Sequence, residues 1–449
     1  MRLTKSIFVP TVLALCISYA QGQSASINGG TVYQQIDGFG AATAFLDAIP
    51  TSVVNTLYSP SSIGLKYIRT HIVPDYSDCV SAYGSCVNVP SGATITTNDL
   101  ANVKAAVANG AVLWGTLWSP PGSMKDNGSF SSGGNFIGNS SNYTALANIE
   151  TSWVTLMTGT YNIPVYAISV QNEPDYSGSY ASCKWTAQQI HDFVPYLRGA
   201  LNAAGFSSTK IVIAEPGTWV NTYAATAMAD PSVASQVGIL ASHGYWQSGA
   251  FGPLSYSNIT NQHQWETEVS DYNTYDGGMA SALTYAQQIH QLLSSAHLNS
   301  WNYWLISGAG RPDNEGLTDS GNNVAKRAYM MGNWARFVTG MNEISATANP
   351  QSGVYITAFK NQSTGAFAIV AINSNGGSVS QAFSLNGLSA SSLTPYLTDA
   401  NHNLTEQSPL TVSNGNATAT LNGQSITTFV SSGDSAAPPP PTNLTSTAK

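Results

Sequence analysis

Between residues 34 and 339, short, nearly continuous apolar runs alternate with longer stretches whose apolar positions recur every three to four residues. The strand-like runs are 35–40, 65–72, 112–118, 165–171, 211–215, 238–243, 263–268 and 300–306. They are rich in β-branched and aromatic residues, as strands buried on both faces of a parallel sheet should be. Helical patterns separate most of them. One over 98–109 starts after Thr96-Thr97 and stops at Gly110; another over 186–204 opens with a Thr186-x-x-Gln189 capping box and stops at Gly205. Residues 142–160, 277–297 and 323–339 fill other gaps with the same periodicity. Eight strands with intervening helices over roughly 300 residues predict an α/β protein built as a (β/α)8 barrel over 37–340. A doubly wound open sheet is the alternative, but no Gly-rich phosphate fingerprint follows the first strand.

After Gly340 the period changes to strict alternation. Runs at 354–360, 367–373, 381–385, 418–421 and 426–430 are punctuated by Thr364-Gly365, Asn375-Gly376-Gly377 and Asn414-Gly415, which predicts an appended antiparallel β-sandwich over 341–433. The segment 23–36, with its strand at 25–34, joins that side domain and ties the two ends of the chain together. At the N-terminus, Arg2 and Lys5 precede an apolar run over 7–20 and a small-x-small site at Ala20-Gln21-Gly22, the pattern of a cleaved signal peptide over 1–22 and hence of a secreted protein. No later run approaches the ~18 apolar residues of a membrane span. Residues 434–449, with Pro438 to Pro441, read as a linker to a further module or as a disordered tail.

Charge narrows the function. The 449 residues carry 15 Lys+Arg and 23 Asp+Glu, and charged residues are only 8% of the chain, about a third of the usual share. So few cations cannot build a phosphate-neutralising surface, which argues against nucleic acid and anionic membranes as partners. Of four cysteines, Cys16 leaves with the leader. Cys79 and Cys86 flank a short loop that a disulfide could staple, leaving Cys183 unpaired. No metal-ligand spacing and no cofactor motif is present.

Chemistry in a barrel sits at the C-terminal strand ends. The run 165–171 leads into Asn172-Glu173-Pro174, and 263–265 into Glu266-Thr267-Glu268. A carboxylate there gains no stability from burial, and two facing one cleft would supply one proton donor and one nucleophile or base. Rim salt bridges are the alternative, weakened by the shortage of Lys and Arg.

The set Ile36-Asp37-Gly38-Phe39-Gly40, Leu117-Trp118-Ser119-Pro120-Pro121-Gly122-Ser123-Met124-Lys125, Ile168 to Tyr176 through Asn172-Glu173-Pro174, Tyr180-Ala181-Ser182-Cys183-Lys184-Trp185 and Trp265-Glu266-Thr267-Glu268 resembles glycoside hydrolase family 30, in particular its bacterial-type xylanases. The resemblance implies a barrel with a side β-sandwich, Glu173 as acid/base and Glu268 as nucleophile. It also implies Asn172 as a sugar-binding neighbour and Arg69 as a support for the nucleophile. Glu266 and Glu215 are decoys, with Glu266 expected to face away from the cleft. Trp118, Tyr245, Trp265 and Trp304 at or just after strand ends, and Tyr275 with the loop Tyr272–Tyr275, are candidate substrate contacts. Burial in the core is nearly as good a reading for Trp265 and Trp304, and a solvated loop is the alternative for Tyr272–Tyr275. His243 and His71 are either site members or satisfied structural histidines.

The implied activity is a monomeric, secreted, retaining endo-β-1,4-xylanase acting on plant cell-wall xylan. Other activities of the family, β-1,6-glucanase or galactanase or exo-acting, and an inactive carbohydrate-binding scaffold are the alternatives. Glucuronoxylan-specific members carry an arginine right after the eighth strand. Here Ser307-Gly308-Ala309-Gly310 stand there, and Arg311 follows beside Asp313 and Glu315. Strict dependence on glucuronate is therefore not expected.

Overall fold

The computed structural model describes residues 24–245 and 251–432. The expected leader over 1–22 and the tail over 434–449 lie outside the described residues. Eight parallel strands close a barrel: β2 (Gly38–Ala42), β3 (Tyr67–Ile72), β4 (Val112–Leu117), β5 (Val165–Ser169), β6 (Lys210–Ala214), β7 (Ile239–Ser242), β8 (His263–Glu266) and β9 (Ser300–Leu305), with β9 pairing back to β2. They overlap all eight apolar runs; most are one or two residues shorter, while β2 runs two residues past its expected end and β6 starts one residue early. Nearly every strand residue is buried, because the barrel interior takes one face and the ring of helices the other. Packing is tight enough that a Cβ on Gly40 of β2 would stand 2.4 Å from the Tyr67 carbonyl, so only glycine fits.

The helices follow their sequence signals. Thr186 and Gln189 form the reciprocal capping box of helix Ala187–Ala203. The stretch expected as one helix over 142–160 is helix Ser140–Thr155 followed by a π turn, Leu156–Thr160.

Both chain ends build the side domain. β1 (Ala25–Gln35) lies antiparallel to β10 (Asn342–Ala346) and parallel to β13 (Val379–Asn386). With β11 (Val354–Lys360), β12 (Phe367–Asn373), β14 (Ser392–Thr398), β15 (Thr405–Glu406), β16 (Leu410–Thr411), β17 (Asn416–Leu421) and β18 (Ser425–Ser431), they form one ten-stranded sheet, antiparallel in every other pairing. Ile27, Phe367, Phe383 and Phe429 share a core of its own, while Phe359, Val370 and Ile426 of the same sheet pack into the core of the barrel. Helix Lys326–Val338 joins the two bodies. Asn333 donates to the Tyr396 carbonyl at 3.0 Å and the Trp334 indole to Thr357 at 3.3 Å. Among the described residues no helix is long and apolar enough to cross a membrane.

Candidate active site

The strand ends of the barrel converge on a cleft of about 580 Å3 in which Glu173, Glu268, Asn172, Tyr245, Trp118 and Trp304 all take part. Glu173 lies four residues beyond β5 in a left-handed conformation (φ 44°), and its N–H donates to the Glu215 carbonyl at 3.0 Å. Glu215, itself left-handed (φ 53°), follows β6 directly. Non-glycine residues held there mark positions that the surroundings over-determine.

Arg69 organises the nucleophile side. It is fully buried on β3. Its Nη1 donates to Glu268 Oε2, its Nη2 to Asn172 Oδ1 at 2.7 Å, and its Nε to Thr116 Oγ1 at 3.0 Å. Nη2 also stands 3.0 Å from Glu215 Oε1. The guanidinium lies 4.4 Å from the centre of the Trp118 ring and 6.0 Å from that of Trp304, within range of a cation–π attraction. Tyr245 donates to the other oxygen, Glu268 Oε1, at 3.0 Å. Both carboxylate oxygens of Glu268 are thus fixed by donors from two different strand ends.

His243 sits between the acids, its Nδ1 3.2 Å from Glu173 Oε1 and its Nε2 3.7 Å from Glu215 Oε1. Burial opposes its charge, yet Glu268, Glu173 and Glu215 outweigh burial and hold the imidazolium up to about 10. Burial raises the Glu268 carboxyl above the ordinary range, with the His243 and Arg69 cations pulling the other way. For Glu215 burial is overcome, chiefly by Arg69, so its carboxyl is held low. The centre therefore sets three carboxyl groups against two cations. One oxygen of Glu173, one nitrogen of His243 and one oxygen of Glu268 lie within 4.8 Å of one another. That trio could offer three ligand atoms to a cation, but Arg69 and His243 already supply positive charge there.

Alternation alone would put Glu266 on the same face as Glu268, two residues on, but β8 ends at Glu266 and the chain leaves the strand before Glu268. The Glu266 oxygens accept the backbone N–H of Glu268 at 3.0 Å and of Asn302 at 3.3 Å, and burial holds its carboxyl up to about 8. It is a clamp on the strand end, outside the cleft lining.

Two expected substrate contacts are corrected. Trp265 is buried in the barrel interior beside Tyr67, Trp114 and Ala167, and its indole N–H donates to Asp37 Oδ2 at 2.7 Å; no face remains for a sugar. Tyr275 lies outside the cleft lining with the Arg327 guanidinium 5.2 Å from its ring. Tyr272, three residues earlier and 68% exposed, lines the cleft instead. Arg311 also reaches the cleft wall, in an ion pair with Glu315. Cys79 and Cys86 are joined, and Cys183 is buried and unpaired. Lys125, from the Trp118 to Lys125 motif, is buried and donates to Ser119, Phe130 and Ser182, tying the loop after β4 to the loop after β5.

Sequence reasoning missed Tyr180, whose hydroxyl donates to Glu173 Oε2 at 3.1 Å, and the cleft residues Phe45 and Tyr83. Tyr180 falls within a quoted motif, but nothing in its spacing says that the loop folds back over the acid.

No family model matches the chain. It is 32% identical over 342 residues to a glucuronoxylanase, XynC, of Bacillus subtilis (strain 168), covering 74% of this chain and 76% of that one. Among solved structures it is similar to the family 30 subfamily 8 xylanase Xyn30A of Clostridium acetobutylicum, with TM-score 0.78, 29% identity, and 91% and 99% of the two chains covered. It is also similar to the catalytic domain of family 30 xylanase C of Talaromyces cellulolyticus, with TM-score 0.75, 28% identity, and 91% and 100% covered.

Proposed function

The chain belongs to glycoside hydrolase family 30, and from that premise we propose that it is a secreted endo-β-1,4-xylanase that cleaves with retention of configuration. The observation that carries the mechanism is the approach of Glu173 and Glu268, one oxygen of each within 4.8 Å of the other. Retaining pairs have carboxyl groups about 5–5.5 Å apart, whereas inverting pairs need about 6.5–9.5 Å to admit a water.

In this reading Glu268 attacks the anomeric carbon. An oxygen of Glu268 bonds to that carbon as the glycosidic C–O bond breaks, and the departing oxygen takes the proton of Glu173. Water then attacks the same carbon and gives its proton to Glu173, and Glu268 leaves. Arg69 and Tyr245 aim the two oxygens of Glu268. Trp118 and Trp304 offer ring surface to sugar C–H faces.

The segment Ser307 to Gly310 carries no charge, and Arg311 is occupied by Glu315. The proposed enzyme therefore does not depend strictly on glucuronate. The place of Arg311 on the cleft wall, together with the activity named for the Bacillus relative, favours a glucuronoxylan-specific enzyme as the second reading. The test is incubation with a panel of plant polysaccharides, resolving the products by chain length and the nascent anomer by NMR. Short linear xylo-oligosaccharides released with β-configuration support the proposal; α-products, or cleavage confined to β-1,6-linked glucan or galactan, overturn it.

A further inference from the structure

One wall of the cleft is a short segment closed by a covalent bond. Helix Tyr76–Tyr83 has eight residues, fewer than the ~12–15 an isolated helix needs to persist in water. Asp75 caps its start by accepting the Asp78 N–H at 2.8 Å. Its end turns at Gly84 (φ 78°), and the Cys79–Cys86 bond spans that turn with the Cα atoms 6.1 Å apart. The last two helix residues, Ala82 and Tyr83, line the cleft.

Tyr83 belongs to one packed aromatic unit. Its ring lies 5.7 Å from Phe45 and 5.1 Å from His71. Phe45 in turn lies 5.4 Å from Trp118 and 6.2 Å from Trp304. His71 is fully buried with both ring nitrogens unpartnered. Burial, reinforced by Arg69, lowers it to about 3, so it serves as a neutral spacer behind the floor. Tyr83 packs on Phe45 and His71, whereas Tyr180 and Tyr245 donate to the acids Glu173 and Glu268. The Tyr83 hydroxyl makes no hydrogen bond among the described residues, and its ring, partly buried against the core, lines the cleft.

We propose that the Cys79–Cys86 bond is a substrate-positioning device: it holds Tyr83 against the aromatic floor so that ring and free hydroxyl grip a sugar unit of the polymer remote from the bond being broken. The inference rests on the reading of this cleft as the polysaccharide-cleaving site. It assigns Cys79 and Cys86 a positioning role and Tyr83 a binding one.

The test compares Cys79→Ser/Cys86→Ser, Tyr83→Ala and the triple variant on whichever polysaccharide the wild type degrades and on an aryl β-glycoside of a single sugar. For the double-cysteine variant, KM on the polymer rises about tenfold while kcat and turnover of the aryl glycoside stay within twofold. The triple variant shows no larger KM than Tyr83→Ala alone, since coupled residues are non-additive. Dithiothreitol added to the wild type reproduces the KM rise, and reoxidation reverses it. An unmoved polymer KM, additive effects in the triple variant, or an equal loss on the aryl glycoside overturns the positioning role. Failure of the wild type to cleave xylan overturns only the substrate reading, because the comparison is made on the polymer it does cleave.

Discussion

The Nδ1 of His243 stands 3.2 Å from Glu173 Oε1, while its Nε2 stands 3.9 Å from Glu268 Oε2, so a single imidazole bridges the two acids of the proposed reaction. With its pKa held up to about 10 against an ordinary 6.5, its stabilising contribution is fully present below pH 6.5 and is lost as pH rises through 10. His243→Asn removes that charge and leaves three buried carboxyl groups facing Arg69 alone. Breaking a buried ion network by removing one partner costs about 3–5 kcal/mol. Urea unfolding at pH 7 should show a loss of that order, and the loss should shrink when measured near pH 10. A variant as stable as the wild type at pH 7 contradicts the charge assignment.

The two proposed roles separate by leaving group. Glu268→Ala abolishes turnover of xylan and of aryl xylosides alike, because no glycosyl-enzyme can form. Glu173→Ala retains turnover of substrates whose leaving group needs no proton, and azide accelerates it by attacking the glycosyl-enzyme in place of water. Steady-state rates with dinitrophenyl xylobioside and xylan decide the matter; equal losses on both refute Glu173 as the acid.

Arg311 is held by Glu315 within four residues, which leaves the guanidinium poorly placed to recognise an acidic decoration. Removing glucuronate from a xylan by enzymatic treatment should change kcat/KM by less than about tenfold, ~1.4 kcal/mol. Arg311→Ala should have a comparably small effect. A larger drop in either measurement moves the protein to the glucuronoxylan-specific reading.

Glu343 is buried where β10 meets the barrel, with Gln34 Nε2 donating to Oε2 at 2.6 Å. Burial pushes its carboxyl up to about 7 from the ordinary 4.5. The folded state therefore holds a proton that the unfolded state has released, and stability falls as pH rises from 4.5 to 7, at most about 1.4 kcal/mol per unit. Glu343→Gln, neutral at every pH, should flatten that fall. The melting temperature of the variant relative to wild type should rise between pH 5 and pH 7.5. A constant difference across that range shows that Glu343 is ionised in the folded protein.

The sequence by itself determined the barrel, the side domain and the two proposed catalytic acids. Eight apolar runs became eight strands because a strand buried on both faces has no polar position to spare, a pattern written in consecutive residues. Glu173 and Glu268 stood out because each acid lies at or just past the end of such a run, where burial penalises it. Rim salt bridges stayed open on that ground, and the proposed roles came from the family resemblance. Alternation would have put Glu266 on the face of Glu268; the two separate because β8 ends at Glu266. What only the tertiary structure decided was contact between distant strand ends. Trp265 and Trp304 both lie at strand ends and read alike, yet one closes the barrel interior on Asp37 and the other lines the cleft. Tyr275 and Tyr272 share a loop whose path depends on the bridge between Thr274 and Asp313. His243 was indistinguishable from a satisfied core histidine until Glu173, 70 residues away, was brought beside it. Periodicity reports which face of an element is buried; it says nothing of the partner waiting there, because that partner is chosen by barrel closure and by the folding of loops over the strand ends.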